Sequence, residues 1–209
     1  MEVYFVRHGQ TDGNVAKRHQ HSETSLNEVG IEQAKAAAAE VVLLNPTHII
    51  SSINLRAVET TRIIAASCVG IIPDTNQIFE ELRRPDNMVG GRFVSLNTVW
   101  YVWRWFYGFL KEEEKGETYP EFVSRVKEAR LHLESLPSDA IVVVVSHAIF
   151  INFFLECMCE KGPMNFWRAA KLFWQILTIR NATIVHVRFA KSEEGDCGWE
   201  FVSAESVHP

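Results

Sequence analysis

Ile141-Val142-Val143-Val144-Val145 is an unbroken run of β-branched residues in a chain of 209. Such side chains are stiff at χ1 and sit well on a pleated surface. A strand with no polar alternation must be covered on both faces, as in a parallel sheet held between two layers of helices. Ala140 to Val145 therefore reads as a central strand. A second apolar run, Val3-Tyr4-Phe5-Val6, opens the chain, and the two end alike: Arg7-His8-Gly9 follows the first and Ser146-His147 the second. Ligands bind at the carboxyl ends of strands in open α/β sheets. Arginine beside histidine suits a core poorly, and Gly9 lets the backbone approach a ligand closely. Two histidines, each at the end of a buried strand, point to a site for an anion, with His8 as candidate nucleophile.

The stretches between these strands read as helices, turns and shorter strands. Thr11-Asp12-Gly13-Asn14 is a polar turn that can fold back on His8. Asn27 is a candidate N-cap for a helix running to about Leu44, where Asn45-Pro46 stops it. His48 to Ser51 is a short strand, and Ser51 to Ala57 a strand-to-helix corner. Arg56 falls in the first turn of the next helix, where a cation opposes the macrodipole unless an anion joins it. Ile78 to Pro85, followed by Gly90-Gly91, reads as a loop. Trp100 to Phe109 is dense in aromatics and suggests a helical insertion over about 95–115. It is expected to pack on the core and to cover the pocket or a partner. Lys111 to Glu117 reads as a solvated connection. Thr118 and Glu121 form a capping box, and Phe122, Val126, Ala129 and Leu133 a core-facing stripe. Ala148 to Cys159 is a helix, Gly162-Pro163 a break, and Met164 to Ile176 a further helix with Phe166, Trp167, Phe173 and Trp174 packed. Asn181 to Val187 and Trp199 to Val202 pair as antiparallel strands across a Glu193 to Asp196 turn, with His186 facing solvent.

Composition excludes some classes. A net charge of −5 argues against a nucleic-acid partner, although a local basic pocket can still take a small anion. Cys68, Cys157, Cys159 and Cys197 lack zinc-site spacing and read as reduced thiols of a cytoplasmic protein. His19 and His21 have no third ligand nearby and read as exposed loop residues. The start of the chain lacks the basic-then-apolar pattern of a signal peptide. The most apolar stretch, Ala140 to Met158, contains Ser146, His147, Asn152 and Glu156, so a strand and a helix are expected there and no membrane partner.

Taken in order, Arg7-His8-Gly9-Gln10-Thr11 with Asn14, the Leu26 to Ala34 segment, Ser51-Ser52 through Arg56 and Thr60, Val145-Ser146-His147, and Asn181 to Ile184 resemble the motifs of the histidine phosphatase (phosphoglycerate mutase-like) superfamily. The sequence departs from the family pattern twice. Ala148-Ile149 stands where Gly-Gly often follows the second histidine. Arg83-Arg84-Pro85 stands where many members continue with Gly-x-x-Glu-Gly. The resemblance implies one domain over 1–209. Its fold would be an α/β three-layer sandwich: a mostly parallel sheet with helices on both faces, an antiparallel C-terminal edge strand and the helical insertion. It also implies a small phosphorylated substrate, no cofactor and no metal. Oligomeric state stays open, a homodimer included.

The residue types suit metal-independent hydrolysis of a phosphomonoester. A neutral imidazole of His8 can attack phosphorus and carry the phosphoryl group. Arg7, Arg56 and a protonated His147 can neutralise the transferring oxygens, with Asn14 and the Ala148 amide as further phosphate ligands. Glu81, taken over Glu80, is the expected proton donor, with a raised pKa. One alternative is phosphoglycerate mutase-type transfer; another is a non-catalytic phospho-ligand binding or scaffold protein on the same fold. The aromatic insertion suggests an apolar or planar leaving group.

Overall fold

The structure is a computed structural model that describes residues 1–110, 116–159, 164–174, 179–191 and 197–207. Six strands form one sheet in the order β3-β2-β4-β1-β5-β6. They are β1 (Glu2–Arg7), β2 (His48–Ser51), β3 (Asp74–Thr75), β4 (Ile141–Ser146), β5 (Thr183–Phe189) and β6 (Trp199–Ser206). The valine run is β4, and it lies parallel to both β1 and β2. Val3 faces Val142, Arg7 faces Ser146, and Ser51 faces Val145. β5 and β6 add the antiparallel edge, with Val6 opposite Ile184.

The period of two along a strand sends alternate side chains to opposite faces. Val143 and Val145 join Val6 and Ile49 beneath α2 (Glu28–Leu43) and α3 (Leu55–Ser67), where Ala37, Val41, Ala57 and Ile64 are buried. Val142 and Val144 join Val3 and Phe5 on the other face. There they meet α4 (Leu96–Phe106), α5 (Tyr119–Glu134), α6 (Ala148–Cys157) and α7 (Phe166–Trp174). A four-residue helix, α1 (Asp12–Val15), follows β1, with Thr11 and Asn14 forming its capping box. The expected caps are present: Asn27 accepts from the Gly30 amide, and Thr118 with Glu121 closes the start of α5. The loop after β3 contains short 3₁₀ turns at Gln77–Phe79 and Asp86–Met88.

The parallel register sets the carboxyl ends of β1, β4 and β2 side by side. His8, His147 and Ser52 are the residues that follow those ends. The loop after β1 also rests directly on α2. A Cβ on Gly9 would fall 2.3 Å from the Gly30 carbonyl oxygen, and one on Gly30 would fall 2.1 Å from the Gln10 carbonyl oxygen.

Several expectations change. His19 is buried and bonds to Thr98 Oγ1 at 3.3 Å. Glu117 is buried and ion-paired with Arg125 at 2.7 Å, because a buried partner was there to receive it. His186 stacks on Tyr4 and bonds to Glu2 at 2.5 Å. Trp167 is 79% exposed on α7, whereas Phe173 is buried. Cys159 and Cys197 form a disulfide, and only Cys68 and Cys157 among the described residues are free thiols. The crosslink joins positions 38 apart, a pairing that local spacing does not reveal. The 111–115 part of the charged connection, the Gly162-Pro163 break, the expected end of a helix at Ile176 and the Glu193 to Asp196 turn lie outside the described residues. Among the described residues, no helix is long and apolar enough to cross a membrane.

The Gly9–Gly30 approach yields the first prediction. Gly30→Ala drives a methyl group into backbone rather than a flexible side chain, so the loop carrying His8 must shift. We expect a loss of about 1–3 kcal/mol in stability, in the range of overpacked sites, together with loss of the activity assigned below. Urea unfolding of the variant checks it; wild-type stability and activity would contradict the close packing.

Candidate active site

His8 is 3% exposed, and its ring nitrogens have distinct partners. Nδ1 lies 2.7 Å from the Gly9 carbonyl oxygen, which can only accept, so Nδ1 carries the proton. Nε2 then holds the lone pair, and Arg56 Nε donates to it at 3.3 Å. Burial, then the charges of Arg56 and Arg7, push the His8 pKa well below 6.5. The ring is therefore neutral, with Nε2 nucleophilic, at ordinary pH.

The loop is tied down on three sides. The Gly9 amide donates to Thr60 Oγ1 at 3.1 Å, and Thr60 donates to the Arg56 carbonyl at 2.7 Å. The Gln10 amide donates to Gln33 Oε1 at 2.9 Å. Asn181 Nδ2 donates to the His8 carbonyl at 3.0 Å and to Asn14 Oδ1 at 3.2 Å. Asn14 Oδ1 also accepts from the Thr11 amide at 3.1 Å, so the oxygen is committed to the loop.

His147 ends β4 and caps α6, with its ring centroid 5.1 Å from that of His8. Its Nε2 lies 2.8 Å from Ser52 Oγ. Ser52 donates to Asn54 Oδ1 at 3.0 Å, so its hydroxyl receives the Nε2 proton of His147. Nδ1 of His147 is buried without a partner among the described residues. Burial, then Arg56, His8 and Arg7, lower the His147 pKa well below 6.5. His147, expected from sequence to be protonated, is thus held neutral by its surroundings, and a dianion beside it would have to draw the proton in. Arg7 and Arg56 are buried, and burial lowers each to about 10, so both remain cations. Arg7 Nη1 donates to the Ile179 carbonyl, and Arg56 Nη1 to that of His21 at 3.0 Å.

The two adjacent acids diverge. Glu81 is 8% exposed and reaches the first turn of α6, accepting from the Phe150 amide at 3.3 Å and the Ile149 amide at 3.5 Å. Its charge acts on Arg7 and Arg56. Burial raises the carboxyl pKa of Glu80. The Ala148 amide stands at the first position of α6, beside these groups. Beneath them, Arg125 Nη1 donates to the carbonyls of Ile78 (3.1 Å) and Glu80 (2.7 Å), and Nη2 to that of Glu81 (3.3 Å). Glu117 holds Arg125 in place, so this buried pair fixes the register of the acid loop.

Arg56, Glu80 and Glu81 line a cavity of about 200 Å³ with His19, His21 and Arg84. No aromatic residue of α4 lines it. Trp105 is fully buried in the core. Trp103 stacks on Trp100 at 5.0 Å and on Phe109 at 5.4 Å at the surface. The expectation of an aromatic pocket for an apolar leaving group is therefore not met. Ser52 and Asn181 lay within motifs that the sequence offered but without an assigned role, and Arg125 and Glu117 were not singled out from sequence. For Arg125 and Glu117 the only signal was polarity next to elements whose burial the fold decides. Among the described residues no cluster of His, Cys, Asp and Glu could hold a metal.

The chain belongs to the histidine phosphatase superfamily (branch 1), whose family model matches residues 3–194. It is 30% identical over 217 residues to a probable phosphoglycerate mutase GpmB of Proteus mirabilis, covering 99% of this chain and 94% of the relative. The corresponding protein of Yersinia pestis is 31% identical over 209 residues, covering 98% and 92%. Among solved structures, a phosphoserine phosphatase mutant from Entamoeba histolytica in complex with phosphoserine superposes with a TM-score of 0.75, 19% identity and coverage of 99% and 97%. A mycobacterial glucosyl-3-phosphoglycerate phosphatase with VO3 gives 0.71, 22% identity and 96% of both chains. These two likenesses establish the shared α/β fold.

The buried histidines predict an acid-labile fold. Their pKa values are low in the folded chain and ordinary in the unfolded one; that of His19 falls to about 3 through burial and then Arg84. Below about pH 6.5 the unfolded state binds more protons, so stability falls as pH falls. Each of His8, His147 and His19 contributes up to about 1.4 kcal/mol per pH unit, and Glu80, shifted upward, offsets part of that slope above pH 4.5. Urea midpoints should drop between pH 7 and pH 5; equal midpoints would contradict the neutral buried rings.

Proposed function

We propose that the protein is a metal-independent phosphatase of a small phosphomonoester, acting through a phosphohistidine on His8. The observation that carries this reading is the Nδ1–H of His8 bonded to the Gly9 carbonyl, which leaves Nε2 bare beside two cations. Nε2 attacks phosphorus as the bond to the leaving oxygen breaks. Arg56 gives up its bond to Nε2 and, with Arg7, meets the phosphoryl oxygens. The orphan Nδ1 of His147, once protonated, donates to a third, and the Ala148 amide and Asn14 Nδ2 add donors. Glu81 protonates the departing alkoxide, then takes the proton from the water that attacks phospho-His8, releasing phosphate and restoring the free ring.

The mutase-type alternative has its support in the names of the relatives at 30–31% identity. It shares the first half-reaction and differs in returning the phosphoryl group to an acceptor. The non-catalytic alternative leaves unexplained why two neutral histidines and two cations are buried together.

Phosphate release from a panel of phosphomonoesters with EDTA present tests the proposal. Wild type should release phosphate and His8→Ala should lose it by at least about a thousandfold, as for a removed nucleophile. No release by the wild type from any ester would contradict it. Glu81→Gln should cost far more on alkyl phosphates than on p-nitrophenyl phosphate, whose leaving group needs no proton. The same pattern in Glu80→Gln instead would move the acid by one residue.

A further inference from the structure

Arg84 lines the same cavity as Arg56 and Glu81, yet the phosphoryl scheme does not use it. Its Nε and Nη2 are shielded from water and bond to no acceptor among the described residues. Glu80, Glu81 and Asp86 also line the cavity, and none of them pairs with it. Nε and Nη2 share one edge of the guanidinium, so their N–H groups form a parallel fork. That fork matches the two oxygens of a carboxylate. The guanidinium carbon stands 5.8 Å from the centroid of the Phe173 ring, over its face. The charge of Arg84 acts on Arg56, so the fork stands within electrostatic reach of the phosphoryl ligands. The Tyr101 hydroxyl, also buried and without a partner, feels the same charge. Arg84 is partly buried as a residue, but these two shielded N–H groups have no acceptor among the described residues, and shielded donors without acceptors are uncommon in folded proteins. An anion arriving there gains more than it would at the surface.

We propose that Arg84 is a specificity residue that receives a carboxylate on the substrate, so that the enzyme acts on phosphate esters of small carboxylic acids. The inference rests on the phosphatase reading above and names its substrate class.

Two substrate pairs differ only in the carboxylate: O-phosphoserine against O-phosphoethanolamine, and 3-phosphoglycerate against 2-hydroxyethyl phosphate. Wild type should favour the carboxylate member of each pair by about tenfold or more in kcat/KM, and Arg84→Gln should bring that ratio close to one. Arg84→Lys, which keeps the charge and loses the fork, should restore only part of it. A wild type that does not discriminate, or an Arg84→Gln that lowers both members equally, would overturn the assignment. If the wild type hydrolyses none of the four, calorimetric binding reads the same preference without turnover. Tighter binding of the carboxylate members that Arg84→Gln abolishes would support Arg84 while the hydrolase reading falls. Equal affinities within each pair would overturn the Arg84 assignment by itself.

Discussion

The hydrogen bond from His8 Nδ1 to the Gly9 carbonyl, at 2.7 Å, is the contact on which the site depends. It decides which nitrogen is bare, and so decides that this histidine can act as a nucleophile. Much of the neighbouring backbone holds that carbonyl still. Thr60 receives the Gly9 amide, Asn181 donates to the His8 carbonyl, and Gly30 lets helix α2 come close enough to buttress the loop. The parallel pairing of β1 with β4 then brings His147 alongside.

The site gathers two buried arginines beside two histidines, with Glu81 within electrostatic reach of both arginines. Arg7 and Arg56 are buried cations, and both histidines respond by staying neutral. Such a cluster is preorganised for an anion that carries its own negative charge into low dielectric. In the proposed reaction a phosphoryl group would do this, and the His147 Nδ1, without a partner among the described residues, is then the natural place for a proton. The amides of Ile149 and Phe150 at the start of α6 donate to the Glu81 carboxyl group and so hold it at the edge of the site.

Much of this was legible in the sequence, for identifiable reasons. The valine run could only be a strand covered on both faces, and a cap such as Asn27 is a local event within a few residues. The two histidines and Arg56 stood out because polar groups at the ends of buried elements have few innocent explanations. What could not be read depended on distant partners. His19 looked like an exposed loop residue until Thr98 came to meet it, and Glu117 looked solvated until Arg125 did. The exposed Trp167 and the Cys159–Cys197 bond belong to the same class. The aromatic run of α4 divides between Trp105 in the core and a surface stack around Trp103, a division that composition does not reveal.

The state of the His8 ring is the central claim, and nitrogen-15 NMR of the imidazole reads it directly. Between about pH 6 and pH 8 the account predicts one neutral tautomer at His8, with Nδ1 protonated and Nε2 bare and no titration near the ordinary value of 6.5. An Nε2–H tautomer, or an imidazolium forming with a pKa near 6.5, would contradict it.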